Sequence, residues 1–511
     1  IGQRDFGGTA KWRACYAAAG TGHAALYAVD SEVVRLGVTV RDRTEAVALI
    51  HDGSRCVGAV VRDLRDGSHF AVMAKATVIA TGGYGRIYGQ YTSNATINEG
   101  TGASIALDTG IVPLGNMEAV QFHPTTLSPS GILVTEGCRG DGGYLLDKNM
   151  ERFMVEAEPE KQELASRDVV SRHMQQRMRD GYGIDSPYGP HLWLDIRHLG
   201  EEHLRTKLLE VWDICRDFVG RNPAKDLIPV RPTQHYSMGG VRVNKDGQAY
   251  GLSGLFAVGE ASCWDMHGFN RLGGNSLAET LVSGRIVGRR VAEYASGHEL
   301  RTDTGLAFDA LAAAEQRAAG WLARSGSGPS VYDIRDAMGE TMMHKVGIFR
   351  TGEELGEAVV ELDQLLDDCD NAVLRCKDPG VNPELAFALR LKGMLRLAMT
   401  VAQGAQARTE SRGAHYRSDF PLRNDRDWLN RTLVRWGADE SEPAFSYEPT
   451  GIIDLPPGHR GYGSDERIEM TNTLENHNDD VLEEQARHGR LPSAEEMGSR
   501  LNRGAWKAVT G

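Results

Sequence analysis

Short apolar runs separated by polar turns fill the first part of the chain. VVRLGVTV (33–40), EAVALI (45–50), CVGAVVRD (56–63) and HFAVMAK (69–75) are rich in Val, Ala and Ile. HDGS and RDGS stand between the last three and supply turn chemistry, so the pattern predicts an antiparallel meander. ATVIATGGYGRIY (76–88) then reads as a buried strand that ends on Gly82–Gly83, and GLFAVGEAS (254–262) as a second strand of that kind. The stretch from Gln121 to Pro232 interrupts the two, carrying a helix predicted over ELASRDVVSRHMQQRM (163–178) and glycine-rich loops such as DGYGIDSPYGP. SLAETLVSGRIVGRRVAEYA (276–295) places Leu277, Leu281, Ile286, Val287 and Val291 at helical spacing, with Asn275 or Ser276 as expected N-cap. Residues 305–408 are helical throughout in pattern. After 440 the chain is rich in Pro, Gly and charge (DLPPGHRGYGSDERIEM, 454–470) and reads as extended or partner-facing.

Composition narrows the class. With 511 residues, 41% hydrophobic and 25% charged, the chain can bury a large core and divide into more than one domain. A net charge of −13 and a pI near 5.7 leave no basic excess for nucleic acid. Seven scattered cysteines with no CxxC pair argue against an iron–sulfur or zinc site of the chain's own, and fit a reducing compartment. No apolar run reaches the length of a membrane span, so membrane association is expected to go through a partner.

Candidate chemistry gathers in five clusters: QFHPTT (121–126), TEGCRG (135–140), SRDVVS (166–171), QHYSMGG (234–240) and HGFNRLGGNS (267–276). Each sets His or Arg beside glycine, proline or a helix start. Singly, each has a bland reading. His123 before Pro124 is a turn residue, Glu136 and Arg139 are an ion pair on a glycine turn, and Arg167 is a helix-surface partner of Asp168 or Glu163.

Together, in this order and spacing, the clusters resemble the flavoprotein subunits of fumarate reductases and succinate dehydrogenases. ESRGAHYRSDFPLRND (410–425) matches the same family, and RDFGGTAKWRACY and DMHGFNRLGGNS are most similar to its bacterial menaquinol-linked fumarate reductase branch. The resemblance implies an α/β fold: an FAD-binding, Rossmann-like domain with a β-meander (1–122 and 233–300), interrupted by an α+β capping domain (123–232). A helical domain (301–415) and an extended C-terminal region (416–511) follow.

A dicarboxylate needs fixed donors at both anionic ends, and arginine offers a bidentate fork where histidine or a hydroxyl offers one directed bond. The resemblance assigns His123, Thr135, His235 and Arg271 to the substrate carboxylates. It assigns Arg167 to proton transfer, with Glu136 and Arg139 relaying the proton. Arginine can act so only where a relay is fast and neighbouring cations destabilise its charged form. For FAD the resemblance points to Ala80, Thr81, Gly82, Gly83, Glu260, Ser276 and Leu277, with no metal. Thr101 stands where many relatives carry an acid.

No GxGxxG opening a βαβ unit is found for the FAD pyrophosphate. That fingerprint and a histidine linking FAD covalently are expected upstream of Ile1. Implied partners are an iron–sulfur subunit, through it a membrane-anchor cytochrome b subunit and quinone, and fumarate or succinate as substrate. The implied location is peripheral, on the cytoplasmic side of the cytoplasmic membrane. The alternatives are a soluble L-aspartate oxidase-like flavoenzyme and a non-catalytic structural subunit.

Overall fold

The computed structural model describes residues 2–450, apart from 5, 8–12, 18–19 and 303. The segment DLPPGHRGYGSDERIEM and the rest of 451–511 lie outside the described residues, as do parts of the RDFGGTAKW motif.

The meander forms as its turns require. Strands Thr44–His51, Cys56–Asp63 and His69–Met73 pair antiparallel in that order. In each turn an aspartate accepts from the backbone beyond it, Asp52 from Ser54 and Arg55, and Asp66 from Ser68. VVRLGVTV is not a strand: Val33–Arg35 finish a helix, Thr21–Arg35, and Gly37 turns the chain out of it at φ 65°. The preceding TGHAALYAVDSE extends helical periodicity into this β-branched run, and the left-handed glycine ends it.

The two expected apolar strands pair with each other. Thr77–Ile79 and Leu255–Ala257 run parallel, with Val78 opposite Phe256. Phe256 is buried, but Val78 is 41% exposed, so the first strand is buried on one face only. Both strands end in left-handed glycines, Gly82 and Gly259, which places their carboxyl ends side by side.

The interruption between them is a unit with its own core, built from Leu145, Val170, Met174, Leu192, Trp212 and Val230 among others. Its antiparallel sheet has the order Val120–Leu127, Ile228–Ser237, Leu192–Asp195, Tyr144–Leu146. The first two strands are the long ones, and they carry QFHPTT and QHYS. Register shifts beside Thr233 and between Gln234 and Tyr236 locally re-aim these side chains. The helix predicted from Glu163 begins only at Arg167. Gln162–Leu164 is a 3-10 turn and extended Ser166 is the N-cap, so Arg167 occupies the first helical position of Arg167–Arg177.

Helices Thr304–Ala323, Val331–Lys345, Gly352–Asn371 and Pro383–Ala407 account for the helical pattern of 305–408. The last three bury their Leu, Met and Ala against one another and against helix Thr101–Leu107. Beyond them the chain is less extended than its composition suggests. Strands Asn430–Arg435 and Ala444–Pro449 form a hairpin that joins a five-stranded sheet through Leu114–Gly115.

One buried ion network ties this hairpin to the helices. Arg408 donates to Glu118 (2.8 Å), Glu410 (2.9 Å) and the Asn430 carbonyl (2.8 Å), and Thr432 donates to Glu118 at 2.6 Å. Arg408, Glu118 and Glu410 are all fully buried. Removing one partner strands the other charges, so Arg408→Ala should cost about 3–5 kcal/mol, read as an earlier first transition in urea unfolding.

Candidate active site

The five clusters converge where the inserted unit meets the rest of the chain. Strand Val120–Leu127 brings in Gln121 and His123, strand Ile228–Ser237 brings His235 and Tyr236, and helix Arg167–Arg177 opens on Arg167. Thr135 and Glu136 lead into the helical turn Gly137–Gly140, which carries Arg139. Arg271 comes from the loop before helix Asn275–Ser296.

Glu136 is the hinge of the charges. It is 2% exposed, and its Oε2 receives both Nε (2.7 Å) and Nη2 (2.6 Å) of Arg167. Its Oε1 receives the Gly7 N–H at 2.6 Å and lies 3.7 Å from Arg139 Nη2. Burial pushes the Glu136 carboxyl up, but the charges of Arg167 and Arg139 and these hydrogen bonds outweigh it and hold it below its ordinary value. Arg139 donates to the Glu163 carbonyl at 2.6 Å, and Glu163 in turn holds Arg152, which reaches solvent. Neither surface reading survives: Arg167 pairs with Glu136 rather than with Asp168 or Glu163, and Glu136–Arg139 lies in the interior.

Two glycines of the stretch TEGCRGDGG (135–143) have a steric reason. A Cβ on Gly137 would sit 1.9 Å from the Arg4 guanidinium, and one on Gly143 would meet the Cys138 carbonyl at 2.7 Å.

Two histidines face one another across the site, ring centroids 5.0 Å apart. Burial and the nearby arginines hold both His123 and His235 well below the usual histidine range, so both are neutral. The Thr125 N–H meets His123 Nδ1 at 3.2 Å, while the Thr125 carbonyl already accepts from Val134. Nδ1 is 3.2 Å from that carbonyl as well, and with the Thr125 N–H donating to Nδ1 the proton sits on Nε2. That Nε2 is buried and has no hydrogen-bond partner among the described residues.

Arg271 is in the same condition. It is buried over the Tyr236 ring at 4.4 Å, and among the described residues it donates only to the Leu272 carbonyl and leaves Nε unpartnered. Burial first, and the Arg167 charge second, lower its pKa to about 9. Buried donors without acceptors are costly. Here they surround one place and suit an anion.

The structure adds residues that the motifs did not single out. Gln121 donates to Asn270 Oδ1 and to the Arg271 carbonyl, both at 2.7 Å, and accepts from Arg167 at 3.4 Å. Asn270 donates to Asp168 at 2.9 Å, so an amide pair joins the helix of Arg167 to the loop of Arg271. Tyr236 and His267 both reach Glu279 at 2.7 Å. The signal for Gln121 was present, since residues i and i+2 of a strand share a face and His123 is two places on.

The flavin candidates gather beside this site. The Glu260 carboxylate accepts from Ser237 N–H at 2.9 Å, and a Cβ on Gly83 would sit 2.4 Å from its Oε1. Ser237 follows Tyr236, so Glu260 is one residue removed from the Arg271 platform. Ala80 and Thr81 are exposed, and Gly82 turns the strand end at φ 72°.

Helix Asn275–Ser296 starts from Gly274 (φ 80°), not from Asn275 or Ser276, and has no side-chain cap. The N–H groups of Ser276 and Leu277 therefore point out of an uncapped helix end, which suits a phosphate or an electron-rich ring. Its interior stripe is Glu279, Ser283 and Val287. Leu277, Leu281 and Ile286, expected to pack inward, are 38–56% exposed. Glu279 takes the inner face because Tyr236 and His267 bind it there. Adjoining strand ends that a side chain would block, an acceptor carboxylate and an open helix start fit a dinucleotide.

Burial lifts the Glu260 carboxyl to about 7. A carboxyl raised this way stabilises the fold fully below its unfolded value, and the contribution is lost as pH rises through about 7. The flavin-free chain should lose about 3 kcal/mol at this site between pH 4.5 and 8. Glu260→Gln should flatten that part of the melting-temperature profile.

A cavity of about 760 Å³ lies elsewhere, between strand Thr44–His51 and helices Thr101–Leu107, Thr304–Ala323 and Pro383–Ala407. Several of its charges satisfy one another, Arg390 with Glu45 and Glu99, and Arg396 with Asp108. Thr101 lines it.

Comparison with known proteins agrees with this geometry. Residues 1–277 match the FAD binding domain family, and residues 335–462 match the fumarate reductase flavoprotein C-terminal family. The Helicobacter pylori fumarate reductase flavoprotein subunit is 48% identical over 490 residues, covering 90% of this chain and 68% of that one. The Rickettsia bellii succinate dehydrogenase flavoprotein subunit is 37% identical, over 90% and 80%. Among solved structures, a mutant E. coli quinol fumarate reductase superposes with a TM-score of 0.86 at 36% identity, covering 91% of this chain and 81% of that one. A Mycobacterium smegmatis Sdh1 complex gives 0.74 at 32% identity, over 92% and 79%. The chain belongs to the fumarate reductase and succinate dehydrogenase flavoprotein family.

Proposed function

We propose that this chain, with FAD bound, interconverts fumarate and succinate, and that Arg167 carries the proton of that reaction. The observation that carries the reading is the set of buried, unpartnered donors, His123 Nε2 and Arg271 Nε, beside the Arg167–Glu136–Arg139 chain.

FAD, when bound, supplies hydride acceptance and donation. Gly82, Gly83, Glu260 and the helix start at Ser276–Leu277 would hold it, with Ala80 and Thr81 at the adjoining strand end. A covalent link of FAD through a histidine is part of the same proposal.

The protein's own work is binding and proton handling. Arg271 and His235 hold one substrate carboxylate, His123 and the Thr135 hydroxyl the other. This fixes the substrate's orientation and excludes water from it. Arg167 donates a proton to the substrate carbon in fumarate reduction and takes one in the reverse direction. Glu136, in contact with both Arg167 and Arg139, returns the proton to Arg167. Arg139 and the Glu163–Arg152 pair extend the path toward solvent. Burial first, and the Arg167 charge in addition, hold Arg139 and Arg271 below the ordinary arginine range, so the site does not favour further positive charge.

Electrons are proposed to pass to or from a separate iron–sulfur subunit. The solved relatives include quinol fumarate reductase and Sdh1 complexes, which supports that subunit, a membrane anchor and quinone as indirect partners. No helix among the described residues is long and apolar enough to cross a membrane, so the proposed place is peripheral, on the cytoplasmic face.

Arg271→Met tests substrate placement. Losing one partner of a desolvated charge pair costs several kcal/mol, so succinate affinity should fall by about a hundredfold while flavin content stays constant. Titration calorimetry with succinate reads this. Unchanged affinity would remove the basis of the assignment.

A further inference from the structure

If His235 binds a substrate carboxylate, as proposed above, its ring must present an N–H. A neutral imidazole has one proton, and the partner of one nitrogen decides which nitrogen carries it. Among the described residues nothing hydrogen-bonds His235 Nε2. Its Nδ1 lies 2.7 Å from Ser93 Oγ. That hydroxyl also has one proton to give. Its other acceptor in reach, the Gln234 carbonyl, is 3.4 Å away and already receives the Ser93 N–H at 2.9 Å. The short contact takes the proton.

We infer that Ser93 is a positioning residue: its hydroxyl donates to His235 Nδ1 and so holds the Nε2–H tautomer toward the substrate carboxylate.

The surrounding loop is fixed firmly enough to do this. Gln234 N–H donates to the Tyr91 carbonyl at 2.9 Å, making a short parallel bridge beside the strand of His235. Thr92 Oγ1 donates to Gln234 Oε1 at 2.5 Å, and Asn94 Nδ2 donates to the His235 carbonyl at 2.9 Å. Gly85 makes room for the arrangement, since a Cβ there would lie 2.1 Å from Asn94 Oδ1. At its other end the Tyr91 hydroxyl donates to Glu340, on helix Val331–Lys345, at 2.9 Å. The facing histidine has only backbone at its Nδ1, the N–H and carbonyl of Thr125 both at 3.2 Å, so it has no hydroxyl of this kind to lose. Burial keeps both rings neutral, so protonation does not supply the missing N–H instead.

The test uses the complete FAD-loaded enzyme. Ser93→Ala should raise the KM for fumarate about tenfold, with a much smaller change in kcat, and Ser93→Thr, which keeps the hydroxyl, should restore it. On a His235→Ala background, Ser93→Ala should add nothing. An equal loss on that background, or a Thr variant as impaired as Ala, overturns the role. If His235→Ala alone leaves KM unchanged, the substrate placement fails first and the role of Ser93 falls with it. Histidine nitrogen NMR of the unsubstituted enzyme decides the tautomer even if Ser93→Ala misfolds. The signals lost in His235→Ala should report a bare Nδ1 and a protonated Nε2, and the reverse tautomer overturns the inference.

Discussion

Arg167→Ala should lower fumarate turnover of the FAD-loaded enzyme by about 10²–10⁴-fold, with succinate affinity reduced far less. The asymmetry follows from what Arg167 touches. Its Nε and Nη2 both go to Glu136, and its Nη1 goes weakly to Gln121. Neither Glu136 nor Gln121 is a carboxylate ligand of the substrate, so its removal strikes proton transfer rather than placement. The fork geometry also predicts that Arg167→Lys fails to rescue. An ammonium can neutralise Glu136, but it cannot keep two donors on Oε2 while aiming a third at the substrate. Rapid mixing of reduced enzyme with fumarate separates the steps. Binding should remain, and reoxidation should slow.

Glu136→Gln should have the next largest effect, a loss of about 10²–10³-fold in turnover. The amide oxygen can still accept from Arg167, while the NH2 group that then faces the Gly7 N–H loses that one backbone bond. An amide cannot carry a proton between Arg167 and Arg139. The change also removes the negative charge that balances two buried guanidiniums. Flavin content should be unaffected, because the hydrogen bonds of Glu136 go to Arg167 and Gly7 and not to Glu260, Ser276 or Leu277. Turnover lost without flavin lost separates a relay defect from a folding defect.

Much of this site was readable in the chain, and for definite reasons. The meander was legible because Asp-Gly turns announce themselves, and the two apolar strands because continuous apolar runs ending in glycine have few other uses, while their parallel pairing came from the structure. The resemblance carried the seven substrate and proton-transfer candidates, and the structure brings them to one junction. Less legible was whatever depended on tertiary partners. VVRLGVTV has β-branched residues, but its neighbours make it the end of a helix. The inward face of Asn275–Ser296 is set by Glu279, because Tyr236 and His267 wait there, and no hydrophobic periodicity can indicate that. Gln121, Asn270 and Ser93 are ordinary polar residues in sequence. Their importance lies in which proton each receives or gives, and that becomes visible only when strands from distant parts of the chain lie side by side.

The proton path from Glu136 to Arg167 is the central claim, and a double-mutant comparison tests it most directly. Single-turnover reoxidation by fumarate is measured for Arg167→Ala, Glu136→Gln and the two combined, at equal flavin content. Residues acting in series share one loss, so the double variant should be about as slow as Arg167→Ala alone. A double variant slowed by the product of the two single losses, or a Glu136→Gln enzyme that keeps the parent rate, would contradict the account.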